Sequence, residues 1–208
     1  ARATGAPVRV VSGDEEARLM LRGALHGLPP AAGVTLVFDV GGGSTEYVLT
    51  EAGAVRAAVS LRLGVVPLAE RYPFPGPVEA TRYRELSAEI AGRLARELPP
   101  AIRAAEPARV VGTAGTVTTL AALDLGLTRY DSARVHGHRL ALDAVERLRA
   151  RLAALDVAGR AALPCLEPGR ADVIVAGTAI VLATLACVGA RSLLASDFGV
   201  REGLLLEP

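Results

Sequence analysis

The chain has 208 residues, of which 51% are hydrophobic and 22% are charged, and its net charge is +1. A chain of this size can bury a core as one large domain or two small ones. Its balanced charge gives no electrostatic case for binding DNA or an anionic membrane surface. It contains no lysine, which excludes a P-loop and Schiff-base chemistry within these residues. No apolar run reaches the roughly 18 residues of a membrane-spanning helix.

The first elements in chain order are a short strand, a helix and three more strands. Residues 8–11 predict the first strand, and residues 14–25 have the spacing of an amphipathic helix with Ser12 as a possible N-cap. Short loops join the next three strands, which predicts an antiparallel meander. These strands cover residues 34–40, 45–50 and 55–63. Alternation in the last of them places four residues on one face: Val55, Ala57, Val59 and Leu61.

The second half of the chain alternates helices with strands. A short helix at 65–72 and a linker precede a long helix at about 77–98, which Pro99 and Pro100 end. The remaining predictions, in order, are a strand, glycine turn and helix at 108–125, an amphipathic helix at 141–154, a central apolar helix at 170–188, a strand at 191–197 and a last helix at 198–207. The pattern predicts an α/β fold in which the meander continues into β-α units of one mixed sheet.

The cysteines and histidines give no strong metal signal. Cys165 and Cys187 lack metal-ligand spacing and stand in apolar surroundings, which predicts two buried, reduced thiols. His136 and His138 in "VHGHRL" are spaced like a zinc pair on a strand, but no further ligands stand nearby in the sequence. A loop or surface role is therefore the favoured interpretation of both histidines.

Residues 38–46, "FDVGGGSTE", carry the clearest chemical signal. Glycines at a turn between two strands can use positive φ and bring backbone N–H groups close to an anion. The Ser44 and Thr45 hydroxyls can donate to phosphate oxygens, and Asp39 can hold a divalent cation that offsets phosphate charge. The alternative is a glycine-rich hairpin with a solvated aspartate. The order of elements favours phosphate binding, because it resembles the ribonuclease-H-like half-domain of the actin, sugar-kinase and Hsp70 group.

Four stretches in order resemble the exopolyphosphatase / guanosine pentaphosphate phosphohydrolase (Ppx/GppA) family. They are "VVSGDEEARL" (10–19), "FDVGGGSTE" (38–46), "VGTAGTVTTLAA" (111–122) and "SDFGVREGLL" (196–205), and "GRADVIVAG" (169–177) also fits. The resemblance implies a ribonuclease-H-like fold and hydrolysis of the terminal phosphoanhydride of polyphosphate or of the guanosine pentaphosphate pppGpp. It also implies Mg²⁺ as cofactor and a cytoplasmic homodimer that binds neither DNA nor membrane.

The same resemblance assigns roles to individual residues. Glu16 matches the catalytic glutamate that orients or deprotonates water, Glu46 a second catalytic acid, and Asp39 the aspartate associated with Mg²⁺. The phosphate-binding residues are Gly41, Gly42, Gly43, Ser44 and Thr45, with Gly112, Thr113, Gly115 and Thr116 at a second position. The alternatives are an exposed first-turn acid for Glu16, a strand-edge carboxylate for Glu46 and a strand–helix turn without ligand for residues 112–116.

The resemblance further implies that a first half-domain is missing. Residues 1–30 then correspond to the last strand and helix of that half, and 31–208 to the second ribonuclease-H-like domain. A chain with one wall of the cleft is expected to be weakly active or inactive alone. Two other classes of protein stay open. The first is a nucleotide-binding module of the sugar-kinase or actin type, and the stretch "DEEAR" counts against it. The second is an inert structural fragment.

Overall fold

The computed structural model describes residues 11–206, which contain one six-stranded mixed sheet. Its strands are β1 (Val34–Val40), β2 (Thr45–Glu51), β3 (Ala54–Leu61), β4 (Arg109–Thr113), β5 (Arg139–Ala141) and β6 (Ser192–Ala195). The strand order is β3-β2-β1-β4-β6-β5. The first three strands form the predicted antiparallel meander, and β1, β4 and β6 are parallel. This confirms the predicted mixed sheet. The strand predicted at 8–11 falls on residues 8–10, which lie outside the described residues.

Ten α-helices cover the two faces of the sheet within the described residues. They are α1 (Gly13–Leu25), α2 (Val65–Arg71), α3 (Ala80–Glu97), α4 (Pro100–Arg103), α5 (Ala114–Asp124), α6 (Ser132–Val135), α7 (Leu142–Ala153), α8 (Val157–Ala161), α9 (Ile174–Cys187) and α10 (Val200–Leu205). A 3₁₀ turn at Pro168–Arg170 precedes α9. No helix within residues 11–206 has the length and apolarity needed to cross a membrane.

The larger core lies on the face of the sheet covered by α9. This helix is apolar all round, and it packs against α3 and α7 as well as the sheet, as the sequence predicts for a central helix. Its buried Thr184 hydroxyl is 2.9 Å from the Tyr47 hydroxyl of β2, so the polar tip of this buried tyrosine has a partner.

The opposite face is covered by α1 and α10. The Ser12 side chain caps α1 by accepting from the Glu15 N–H at 3.2 Å, as predicted. The predicted apolar face of α1 is buried on the sheet. α10 packs tightly on α1, since a Cβ on Gly203 would lie 2.7 Å from the Leu19 carbonyl carbon. The predicted domain boundary at residue 30 stays a prediction, although α1 is packed on the sheet formed by later residues.

A buried arginine joins the linker before α3 to the end of α7. Arg160 is fully buried, and its guanidinium donates to four backbone carbonyls, those of Phe74, Gly76, Leu152 and Leu155, at 2.6 to 2.9 Å. A buried charge is tolerated when its donors are satisfied in this way. The sequence pattern gave no sign of this role.

Two local predictions about β3 and α3 were wrong. Val55 does not share a face with Ala57, because a bulge in β3 pairs Leu49 with Ala57 but the next residue, Thr50, with Val55. One extra residue reverses the alternation, which leaves Val55 42% exposed. Helix α3 begins at Ala80 rather than about residue 77, since the Val78 N–H donates to the carbonyl of Ala153 at 2.7 Å.

The edge strand β5 was not predicted, because a strand of three residues carries no readable alternation. Cys165 and Cys187 are free, in line with the predicted reduced thiols, but both are half-buried rather than buried.

Candidate active site

Three polar side chains stand side by side where β2, β1 and β4 meet the carboxyl edge of the sheet. Asp39 pairs with Glu46 across β1 and β2, and with Thr113 across β1 and β4. Each lies two residues from a valine that is buried against α1, so all three share that face of the sheet. The first turn of α1 carries Glu16 to the same edge.

The carboxyl group of Asp39 lies in a crowded negative environment. Its pKa is raised from 3.8 to about 6, mainly by burial and then by the charges of Glu46 and Glu16. Because both glutamates act on it, the three acids, which the sequence placed in two separate motifs, converge in space. A group with such a pKa inside a cleft is typical of functional sites.

The two predicted catalytic glutamates line one small cavity of about 190 Å³. Glu16 projects from α1 and is exposed, whereas Glu46 is half-buried on β2. Glu46 is held by two hydroxyls, since Ser44 and Ser60 donate to its Oε1 at 2.6 and 2.7 Å. The Ser60 contact was not predicted, because β3 pairs with β2 only in the folded sheet.

The glycine loop 41–43 is held by the start of α2. The Val65 and Val66 N–H groups donate to the carbonyls of Gly41 and Gly42 at 3.1 and 2.9 Å. The N–H groups of Gly42 and Gly43 make no hydrogen bond within residues 11–206. These two donors are therefore available to an anion.

The expectation of positive φ in this loop was wrong, since none of its three glycines has it. The strict requirement for glycine lies instead at Gly64, which the sequence reading missed. A Cβ on Gly64 would lie 2.5 Å from the Gly42 carbonyl carbon and closer still to its oxygen. The position of the loop is therefore fixed by the close approach of the Gly64 and Gly42 backbones, and not by a left-handed turn.

The hydroxyls of this motif divide between two directions. The Thr45 hydroxyl is fully buried and donates to the Leu63 carbonyl at 2.6 Å, so it ties β2 to the segment before α2. Ser44 faces the site, where it donates to Glu46. Of the two motif hydroxyls, that of Ser44 therefore lies on the side of the predicted phosphate position and that of Thr45 does not.

The second predicted phosphate-binding stretch is mostly structural in its contacts. Gly112 is buried in β4, where a Cβ would lie 2.9 Å from both Phe38 and Val117. The Thr113 hydroxyl donates to the Phe198 carbonyl at 2.7 Å, and Thr116 is buried against the central helix α9. Gly115 lies beneath the Arg170 guanidinium, which occupies the place of a Cβ there.

A larger cavity of about 380 Å³ opens beside these residues and adjoins the carboxylate site. It is lined by Asp39, by the first turn of α5 and by two arginines, Arg170 and Arg201. The first residues of α5 line the cavity. Because this helix has no side-chain cap, the N–H groups of its first turn have no capping side chain as a partner. Arg170 also pairs with Glu167 at 2.8 Å. The family-like stretch 169–177 contains Arg170, but only the fold brings it onto Gly115.

The site carbonyl and carboxyl oxygens suit Mg²⁺, although they form no closed cage. Residues 11–206 contain no group of three or more His, Cys, Asp or Glu side chains arranged to hold a metal. His138 pairs with Asp124 at 2.8 Å, and the ring of His136 packs on Phe198. Asp39 lines the larger cavity and could serve as a single protein ligand, in the kind of site where Mg²⁺ keeps waters and takes substrate phosphates.

Comparisons with known proteins identify the family of the chain. Residues 1–208 match the Ppx/GppA phosphatase family. The chain is 41% identical over 211 residues to exopolyphosphatase 2 of Mycobacterium tuberculosis, covering 97% of this chain and 64% of that protein. It thus spans less than two thirds of the length of this relative.

Solved structures share the fold. The PPX-GPPA enzyme of Aquifex aeolicus matches with a TM-score of 0.87 and 32% identity, covering 98% of this chain and 66% of that one. An exopolyphosphatase of Cytophaga hutchinsonii matches with a TM-score of 0.87 at 24% identity, over 98% and 66% of the two chains, which shows the fold alone. The predicted ribonuclease-H-like fold of the actin and sugar-kinase group is confirmed, and the chain belongs to the Ppx/GppA phosphatase family.

Proposed function

We propose that this chain forms part of a phosphohydrolase that removes the terminal phosphate of inorganic polyphosphate, of pppGpp, or of both. The observation that carries the proposal is the convergence of Glu16, Glu46 and Asp39 beside a loop with two free N–H donors. The name of the Mycobacterium tuberculosis relative favours polyphosphate. The guanosine substrate, Mg²⁺ and the homodimer stay predictions.

In the proposed reaction, water attacks the terminal phosphorus and the phosphoanhydride bond to the next phosphate breaks. Glu16 orients this water and accepts its proton, since it lines the small cavity together with Glu46 and its charge acts on Asp39. The Gly42 and Gly43 N–H groups donate to the oxygens of the transferred phosphoryl group, where negative charge develops. The departing phosphate chain extends into the larger cavity towards Arg170 and Arg201.

Glu46 serves as a positioned acceptor next to the glycine loop. Ser44 and Ser60 occupy its Oε1, and its Oε2 lies 4.0 Å from the place of a Cβ on Gly41. This fixed carboxylate can hold the attacking water from a second side. Asp39 would hold Mg²⁺, which supplies positive charge that offsets the phosphate oxygens when it is bound.

The test compares two adjacent acids of the same helix turn. Glu16→Gln in the complete gene product that contains these residues should lower phosphate release from polyphosphate by about 10²- to 10⁴-fold, the usual range for loss of a general base. KM should change little, because glutamine keeps the shape of the side chain. Glu15→Gln is the matched control and should keep most of the activity.

If Glu16→Gln kept half of the parent turnover, another acid would hold the water and the assignment would be wrong. If the parent protein released no phosphate from polyphosphate or pppGpp, the proposed function itself would be refuted. A nucleotide-binding module of the sugar-kinase type would bind ATP and release no phosphate from either substrate.

A further inference from the structure

A second polar cavity, of about 580 Å³, lies at the opposite edge of the sheet from the carboxylates. It opens at the amino ends of β4 and β6, and the connection Pro29–Ala31 between α1 and β1 forms one wall. Arg109 begins β4, and Thr113 at the other end of that strand pairs with Asp39. At about 3.3 Å per residue, the two sites are roughly 13 Å apart along the strand. No residue lines both the cavity and the candidate active site.

The pairing of the strands places two arginines on either side of a serine. Arg109 shares a face of β4 with Val111, which pairs with Leu194 of β6. Leu194 in turn pairs with Arg139 of β5 and shares its face with Ser192. The Arg139 Nη1 donates to the Ser192 Oγ at 2.9 Å, and the strand pairing places both arginines on the same face of the sheet.

The cavity carries positive charge without a counter-charge. Arg109, Arg139 and Arg191 line it, and no aspartate or glutamate of the described residues does so. Arg109 donates from Nη1 to the Pro29 carbonyl at 2.6 Å, but its Nε is buried and has no hydrogen-bond partner within residues 11–206. Burial lowers the pKa of the Arg109 guanidinium, and no carboxylate offsets that cost.

Three positive charges gathered around one cavity repel one another, and no carboxylate among the described residues that line it balances them. An anion in the cavity lowers that cost. Guanidinium groups present forked donors that match phosphate oxygens, and three of them around one cavity suit several linked phosphates better than one. The volume lies in the range of small-ligand sites. No aromatic side chain of the described residues lines the cavity, so it offers no ring on which a base could stack.

We propose that this cavity is a second anion-binding site, for an inorganic chain of linked phosphate groups. Arg139 and Arg191 are exposed and supply positive charge, while the half-buried Arg109 adds a third guanidinium to the lining of the cavity. The site is separate from the carboxylate centre and binds its ligand without hydrolysing it. This inference does not depend on the proposed hydrolysis.

The test is a calorimetric titration of tripolyphosphate into the complete gene product in the Glu16→Gln background, so that turnover does not consume the ligand. Two sites per chain are expected. Arg139→Glu with Arg191→Glu should remove the second site, with at least a tenfold loss of affinity, and leave the first site unchanged. Both arginines are exposed, so thermal melting should not change. Arg84→Glu with Arg151→Glu is the control of equal charge change on exposed helix positions away from the cavity.

A single bound tripolyphosphate per chain that persists in the Arg139→Glu, Arg191→Glu protein would overturn the proposal. So would unchanged binding in the Arg139→Glu, Arg191→Glu protein, or an equal loss in the control. A parallel titration with GTP addresses the ligand, and tighter binding of GTP than tripolyphosphate at the second site would overturn the inorganic assignment. A protein that fails to hydrolyse polyphosphate but shows both sites would refute the proposed function alone.

Discussion

Gly64→Ala should displace the glycine loop without replacing any predicted ligand-binding residue. Gly64 has ordinary extended backbone, with φ of −101° and ψ of 164°, so alanine brings no conformational strain there. Its added Cβ would instead lie 2.5 Å from the Gly42 carbonyl carbon, where ordinary contacts begin at 3.4 Å. The atoms that must move are backbone, and they cannot rotate away as a side chain would.

The loop must therefore retreat by about 0.9 Å, the difference between these two distances. Overpacking of this kind costs about 1–3 kcal/mol, which lowers Tm by about 2–12 °C in a domain of this size. The shift also moves the Gly42 and Gly43 N–H groups from the substrate, and a misplacement of about 1 Å can lower turnover by about 10²-fold. Thermal melting and phosphate release from polyphosphate measure the two effects.

Gly76→Ala is the control, because a Cβ there meets nothing within 4 Å. It should leave turnover unchanged. Parent values of both Tm and turnover in Gly64→Ala would refute the argument that Gly64 seats the loop. A lower Tm with full turnover would refute only the link from the position of the loop to catalysis.

Three further predictions concern buried polar groups. Asp39→Asn should stabilise the fold by about 3 kcal/mol at pH 8 and by little at pH 4. The reason is that a raised pKa means that folding disfavours the charged carboxylate, and this cost develops as the pH rises to about 6. Equal gains in the free energy of unfolding at the two pH values, measured by urea unfolding, would contradict the prediction. Arg160→Met should lower the free energy of unfolding by at least about 3 kcal/mol, since four carbonyls lose their donor. The control, Arg151→Met at an exposed position, should lower it by less than about 0.5 kcal/mol. Similar urea midpoints for the two variants would refute the role of Arg160. Thr45→Val should cost about 1–3 kcal/mol through the lost bond to Leu63 and leave phosphate affinity nearly unchanged, while a loss of affinity without a loss of stability would mean that this hydroxyl contacts phosphate.

Much of the fold could be predicted because its long elements have strong periodicity and clear ends. Local properties of the sequence depend on residues that are close together in the chain. Examples are the amphipathic spacing and cap of α1, the buried run of β1 and the apolar length of α9. The motif of residues 38–46 likewise placed a carboxylate, a glycine turn and hydroxyls together, since all of them lie within one turn of the chain.

The sequence by itself therefore determined the long elements, the family and the acids proposed for the candidate site. Which groups meet across the fold was decided only by the tertiary structure. Gly64 packs against the backbone of the glycine loop, Ser60 donates to Glu46, and the Arg170 guanidinium lies on Gly115. Each of these contacts joins residues that are far apart in the chain. The reason is physical: periodicity and capping act over a few residues, whereas close approach, desolvation and strand register depend on which surfaces the folded chain brings together.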